Sequence, residues 1–213
     1  MALIQSGVDS TLLTVDPTFK AARVVIKPDE LTGAFQLAAV TGAITTIAAN
    51  APIFSFRWAP GTSALCVVKR ISIGFVCTTA FGAAQQMGFG VYGARSFSGS
   101  DSGQTAIVLT GNNNKYRTSL GTSAVTDARI SGTAAITVGT RTLDANAFGT
   151  NYFWVPGLGT SLTQTDLISY DANDYPIVLA NNEGLVINNL VLMGATGVGN
   201  AVINIEWFET NAY

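Results

Sequence analysis

Ile53-Phe54-Ser55-Phe56-Arg57-Trp58 is the stretch that decides the fold. Its large apolar side chains alternate, and a period of two puts Phe54, Phe56 and Trp58 on one face of an extended strand. Pro52 before it and Pro60-Gly61 after it are turn signals that bound the run. Outward from there the pattern repeats. In 65–77, Ile71, Ile73, Phe75 and Cys77 share a face, and Met87, Phe89 and Val91 alternate with Gly88 and Gly90. Glycine at alternate strand positions marks a place where another group comes close to the backbone. Further short runs read as strands at 23–27, 34–40, 43–47, 105–109, 152–155, 177–180, 185–193 and 201–208, with a weak one at 134–138. Residues 115–150 read as a long Ser/Thr/Gly-rich surface excursion, and the segment from Pro156 through Asp174 as a polar loop. Nothing holds apolar residues at helical spacing between caps. Turns every 8–12 residues or so are the mark of a sandwich or barrel. The expectation is an all-β, jelly-roll-like antiparallel sandwich forming one domain over 21–213. Residues 1–20, with short apolar pieces Leu3-Ile4 and Leu12-Leu13, read as an extended N-terminal arm.

Composition narrows the function. Only 11% of the 213 residues are charged and the net charge is −2, against about 25% charged in an ordinary soluble domain. No stretch is a membrane span, since the longest apolar run, 64–82, carries Lys69-Arg70 at its centre. The surface must therefore be largely neutral, which fits a chain covered by neighbouring subunits better than a free monomer. The eleven Lys and Arg are scattered, so the basic stripe that nucleic-acid binding needs is missing. The N-terminus lacks a basic region followed by an apolar core, so no signal peptide is expected.

Chemistry is sparse. The chain has no histidine, which removes the usual general base and most zinc sites. Cys66 and Cys77 would sit about 35 Å apart on one straight strand, and read as buried, inert thiols. Asp166, Asp171 and Asp174, with Asn173, are dense enough in oxygen to suggest Ca²⁺, but lack EF-hand spacing and read better as a loop with side-chain-capped turns. Asp101 reads as an ordinary turn residue. Gly157-Leu158-Gly159 and Gly197-Val198-Gly199 read as turn glycines. Tyr152 and Trp154 share one strand face with Phe153 on the other, and could form a sugar platform; Trp207 reads as core. No catalytic set, cofactor or metal is expected.

Several stretches resemble a group of bacteriophage virion proteins. They are Phe54-Ser-Phe-Arg-Trp58, Val68-Lys-Arg-Ile-Ser-Ile-Gly-Phe75, Ala80-Phe-Gly-Ala-Ala-Gln85, Ala94-Arg-Ser-Phe97, Ser100-Asp-Ser-Gly103, Thr110-Gly-Asn-Asn-Asn-Lys-Tyr-Arg117, Gly139-Thr-Arg-Thr-Leu-Asp144 and Ile205-Glu-Trp207. The resemblance implies a jelly-roll capsid cement or decoration protein of a tailed phage, made in the host cytoplasm and carried on the virion. Its partner would be the major capsid protein, its own state a homo-oligomer (dimer or trimer), with no direct nucleic-acid or membrane contact. Leu3, Ile4, Leu12 and Leu13 of the arm are the expected interface residues, with 111–150 as a second contact. The alternative is a tail-associated or fibre-tip module that binds host glycans.

Overall fold

The computed structural model describes residues 31–156, 162–171 and 174–211. The expected arm with Leu3, Ile4, Leu12 and Leu13, the strand at 23–27, the glycines 157 and 159, and Asn173 lie outside the described residues. Among the described residues every regular element is a strand: β1 (Leu31–Val40), β2 (Ala51–Trp58), β3 (Leu65–Thr79), β4 (Gln85–Gly99), β5 (Thr105–Ala106), β6 (Asp127–Ile130), β7 (Thr140–Leu143), β8 (Gly149–Val155), β9 (Leu162–Ser169), β10 (Ile177–Leu179), β11 (Glu183–Asn189) and β12 (Val198–Thr210).

They form two antiparallel sheets. One runs β1-β12-β3, with β9 and β10 both paired to β3; the other runs β5-β6-β2-β11-β4, with β7 and β8 both paired to β4. Eight of these strands, β1, β2, β3, β4, β8, β9, β11 and β12, make the sandwich proper. Counted in chain order, one sheet is first-eighth-third-sixth and the other second-seventh-fourth-fifth. That interleaving of two Greek keys is the jelly roll. The expected fold class holds.

The core follows from the alternation. Along β12, Ala201, Ile203, Ile205 and Trp207 are buried, while the residues between them are half exposed. Trp207 stacks on Phe35 at 5.2 Å and meets Phe56 edge-on at 5.2 Å, which places it in the core as read. At the other end Phe75, Phe89 and Phe153 form a second aromatic group, with centroids 5.9–6.2 Å apart. Burying each such side chain stabilises the fold by about 1.5–3 kcal/mol, and well-placed ring pairs add about 0.5–1.5 kcal/mol.

Five expectations are corrected. Residues 43–47 carry only a single bridge, Ile44 to Gly199, because the chain turns there with Thr46 at φ 52°. The run 105–109 shortens to the two residues of β5, and 134–138 contributes only the bridge between Thr137 and Ser102. The supposed polar loop of 156–174 contains β9, whose Leu167 and Ile168 are buried. The 111–150 excursion contains β6 and β7, and it folds back onto its own domain. Its first part lies along the free edge of β1: Gln36 N–H donates to Asn114 O (2.9 Å), Tyr116 N–H to Ala34 O and Gly121 N–H to Thr32 O (each 3.0 Å).

Candidate functional site

The outer face of the β2-β11-β4-β8 sheet carries an aromatic strip. On β8, Phe153 and Val155 point inward, so Thr150, Tyr152 and Trp154 point out. Tyr152 is 52% exposed and Trp154 66%. Their cross-strand neighbours on β4 are Gly88 opposite Tyr152 and Gln86 opposite Trp154. A Cβ on Gly88 would lie 2.5–2.7 Å from Tyr152 ring carbons and 3.2 Å from Val191. The glycine thus leaves the room that the tyrosine ring takes up beside β4. A Cβ on Gly90, next on the same face, would meet Tyr92 at 3.1 Å and Leu190 at 3.2 Å. Every outward residue from Gln86 to Tyr92 on β4, and from Thr150 to Trp154 on β8, is uncharged. The close approach read from the alternating glycines is therefore real, and its agents are these side chains.

The opposite side of the sandwich is also open. On the outer face of the β1-β12-β3-β9 sheet, successive cross-strand rows hold Ala38, Asn204, Ser72 and Asp166, then Val40, Val202, Gly74 and Gln164. Val40 is 56% exposed, and Tyr116, 55% exposed, hydroxyl-bonds Gln36 at the head of the same face. Asn204 and Gln164 amides both donate to Ser72 Oγ at 3.3 Å. The face is rich in small residues, and its charges are Arg70 paired with Asp166, and Glu206.

Among the described residues most arginines are paired within the fold. Arg70 makes a bidentate pair with Asp166 (3.0 and 3.2 Å). Arg95 bridges Asp144 (3.2 Å) and Glu183 (2.6 Å), and Arg129 pairs with Asp127 (3.0 Å). Arg57 donates to Phe97 O, Ser98 O and Ser100 Oγ. Asp166, Asp171 and Asp174 do not converge: Asp166 faces Arg70, while Asp174 accepts from Asp171 N–H at 2.8 Å, a capped turn. Among the described residues no group of three or more His, Cys, Asp or Glu side chains could hold a metal ion. Cys66 and Cys77 are buried free thiols; burial first, and the nearby Glu209 charge second, push the Cys66 thiol well above its usual value.

Two buried acids escaped the reading of the sequence. Asp101 is no ordinary turn residue: its side chain is fully buried, accepts from Gly139 N–H (2.8 Å) and pairs with buried Arg141 at 3.1 Å. The Arg141 guanidinium also sits over the Phe97 ring at 5.4 Å, with Arg57 at 5.9 Å from the same ring. Phe97, Ala94, Val186 and Leu143 form a small second core on that sheet's outer face, which these arginines help cover. Glu209, 3% exposed, accepts from Ser123 Oγ (2.8 Å), Ala124 N–H (3.0 Å) and Trp207 Nε1–H (3.2 Å), tying β12 to the excursion. Polar letters gave no sign of burial in either case, because the partners are 40 and more than 80 residues away.

No family model matches the chain. No curated protein matches it either.

Proposed function

We propose that the chain is a structural subunit of a virus particle, a cement protein whose partner is the major capsid protein. The observation that carries this reading is the outer face of the β1-β12-β3-β9 sheet, where Ala38 and Val40 are exposed beside small neutral residues and Arg70 is neutralised by Asp166, with Tyr116 of the excursion at its head. A face of that kind sheds little ordered charge hydration when covered, and a broad neutral contact suits a protein that acts through buried area. The resemblance carried by residues 54–207 points the same way, as does the pairing of most arginines within the fold. Such a subunit binds the assembled shell and not its separated parts, and so stabilises the shell by mass action. Self-association as a dimer or trimer, and contacts from Leu3, Ile4, Leu12 and Leu13, belong to the same proposal.

The test is co-sedimentation of the purified chain with shells of the capsid protein. Val40→Asp and Ala38→Asp should each cut the affinity about a hundredfold, which corresponds to about 2.7 kcal/mol. Their melting temperatures should match that of the parent, because both side chains are exposed. Undiminished binding by both variants would remove this face from the proposal, and failure of the parent chain to bind shells would remove the proposal itself.

A further inference from the structure

We propose that Tyr152 and Trp154, flanked by Gln86 and Thr150, form a binding site for a neutral glycan, one sugar ring stacking on each aromatic face. This goes beyond the capsid reading and does not depend on it, since the strip lies on the other side of the sandwich.

The geometry of Tyr152 is the first argument. Its ring carbons lie where a Cβ on Gly88 would be, so the ring packs against that glycine while the side chain stays 52% exposed. A tyrosine standing free on a surface has no such support. Because the ring is already pinned, little rotamer freedom remains to be lost when a ligand covers it. Trp154 is the next outward residue on the same strand, about 6.5–7 Å along, a separation that two linked pyranoses can span. The axial C–H groups of a pyranose supply an apolar face for each ring. Gln86 opposite Trp154 and Thr150 below Tyr152 supply donors and acceptors for ring hydroxyls.

Size and charge choose the class of ligand. A large aromatic buries about 150–250 Å² when fully covered, so two rings that are 52% and 66% exposed offer roughly 300 Å² at most. Leu192 at the neighbouring turn adds one more exposed side chain. That falls well short of the about 800 Å² each partner contributes to a stable protein–protein contact, but it matches two sugar rings. The absence of charge from the outward rows of β4 and β8 complements a neutral saccharide. A sialylated or sulfated chain would find no cation there, and nor would a nucleic acid.

The experiment is titration of the full chain with four neutral oligosaccharides (maltohexaose, cellohexaose, chitohexaose and a mannohexaose), followed by calorimetry and by tryptophan fluorescence, with a sialylated and a sulfated oligosaccharide alongside. Binding to at least one neutral oligosaccharide is expected, with a change in Trp fluorescence. Tyr152→Ala and Trp154→Ala should each weaken it tenfold or more, while Tyr152→Phe, which keeps the ring face, should stay within twofold. All three variants should melt with the parent, because the side chains are exposed. The proposal is overturned if none of the neutral oligosaccharides binds at millimolar concentration. Binding that survives Trp154→Ala within twofold, or a preference for the anionic oligosaccharides, would overturn it too. None of these results bears on shell binding through the opposite face, so the two proposals fail separately.

Discussion

Glu209 shows how a single side chain can give the stability a pH dependence. Burial raises its carboxyl above the usual value, and the hydrogen bonds from Ala124, Ser123 and Trp207 pull it back only in part. The unfolded chain loses this proton near the ordinary glutamate value, about 4.3. The native chain holds it to a higher pH. Between those two values the native state binds more protons than the unfolded state, so this group's contribution to stability falls as pH rises, and is level again above the raised value. Glu209→Gln has no proton to lose. Subtracting its unfolding free energy from the parent's, by urea titration at intervals from pH 4 to pH 8, should give a difference that declines across that window. A difference that is flat with pH would mean that Glu209 titrates normally. The buried Arg141 shows the opposite pull: burial lowers its pKa and the Asp101 charge opposes that fall, so the guanidinium depends on Asp101 to stay charged in the interior.

The elements that were legible in the sequence are those whose own side chains decide their face. β2, β3, β4 and β12 alternate large apolar residues over many positions, and one sheet side is all they can bury. β9 escaped because Thr163, Gln164, Thr165 and Asp166 give no alternation; it becomes a strand by pairing with β3 from Arg70 to Val76, a tertiary cause that local pattern does not carry. β6 alternates Ala128 and Ile130 inward, but it is four residues long and its polar letters, Asp127 and Arg129, pair with each other. The candidate glycan strip was half legible. That Tyr152 and Trp154 share a face follows from strand geometry, but Phe153 is equally apolar, and only its contacts with Phe75 and Phe89 decide which side is in. Where β8 meets β9 the sandwich closes tightly. Asn151 donates to Thr165 Oγ1 at 2.8 Å, and a Cβ on Gly149 would collide with the Leu167 carbonyl oxygen. Gly149→Ala should therefore destabilise the fold by about 2 kcal/mol or more, since backbone must move to admit it. A midpoint in urea unchanged from the parent would show that β8 and β9 can part without cost.

At the scale of the whole molecule, stability rests on one continuous apolar interior between two sheets, with neither a cross-link nor an ion among the described residues to staple it. Treatment with chelator and reductant together should shift the melting temperature by no more than a degree or two. A larger drop would reveal a metal held by side chains outside the described residues, or a bond between Cys66 and Cys77. The same interior explains why so few charges suffice, since the arginines mostly brace loops and edges. It also leaves a hazard. Copies with a net charge of −2 repel one another weakly, and a β protein at high local concentration is exposed to strand-by-strand polymerisation through any bare edge. Here the N–H groups of Gln36, Tyr116 and Gly121 already close the β1 border from within, and the far border of the other sheet ends in a strand of only two residues. The excursion thus quarantines the β1 border of the sheet opposite its own strands, and crowding many copies together on one surface need not seed a fibre through that border.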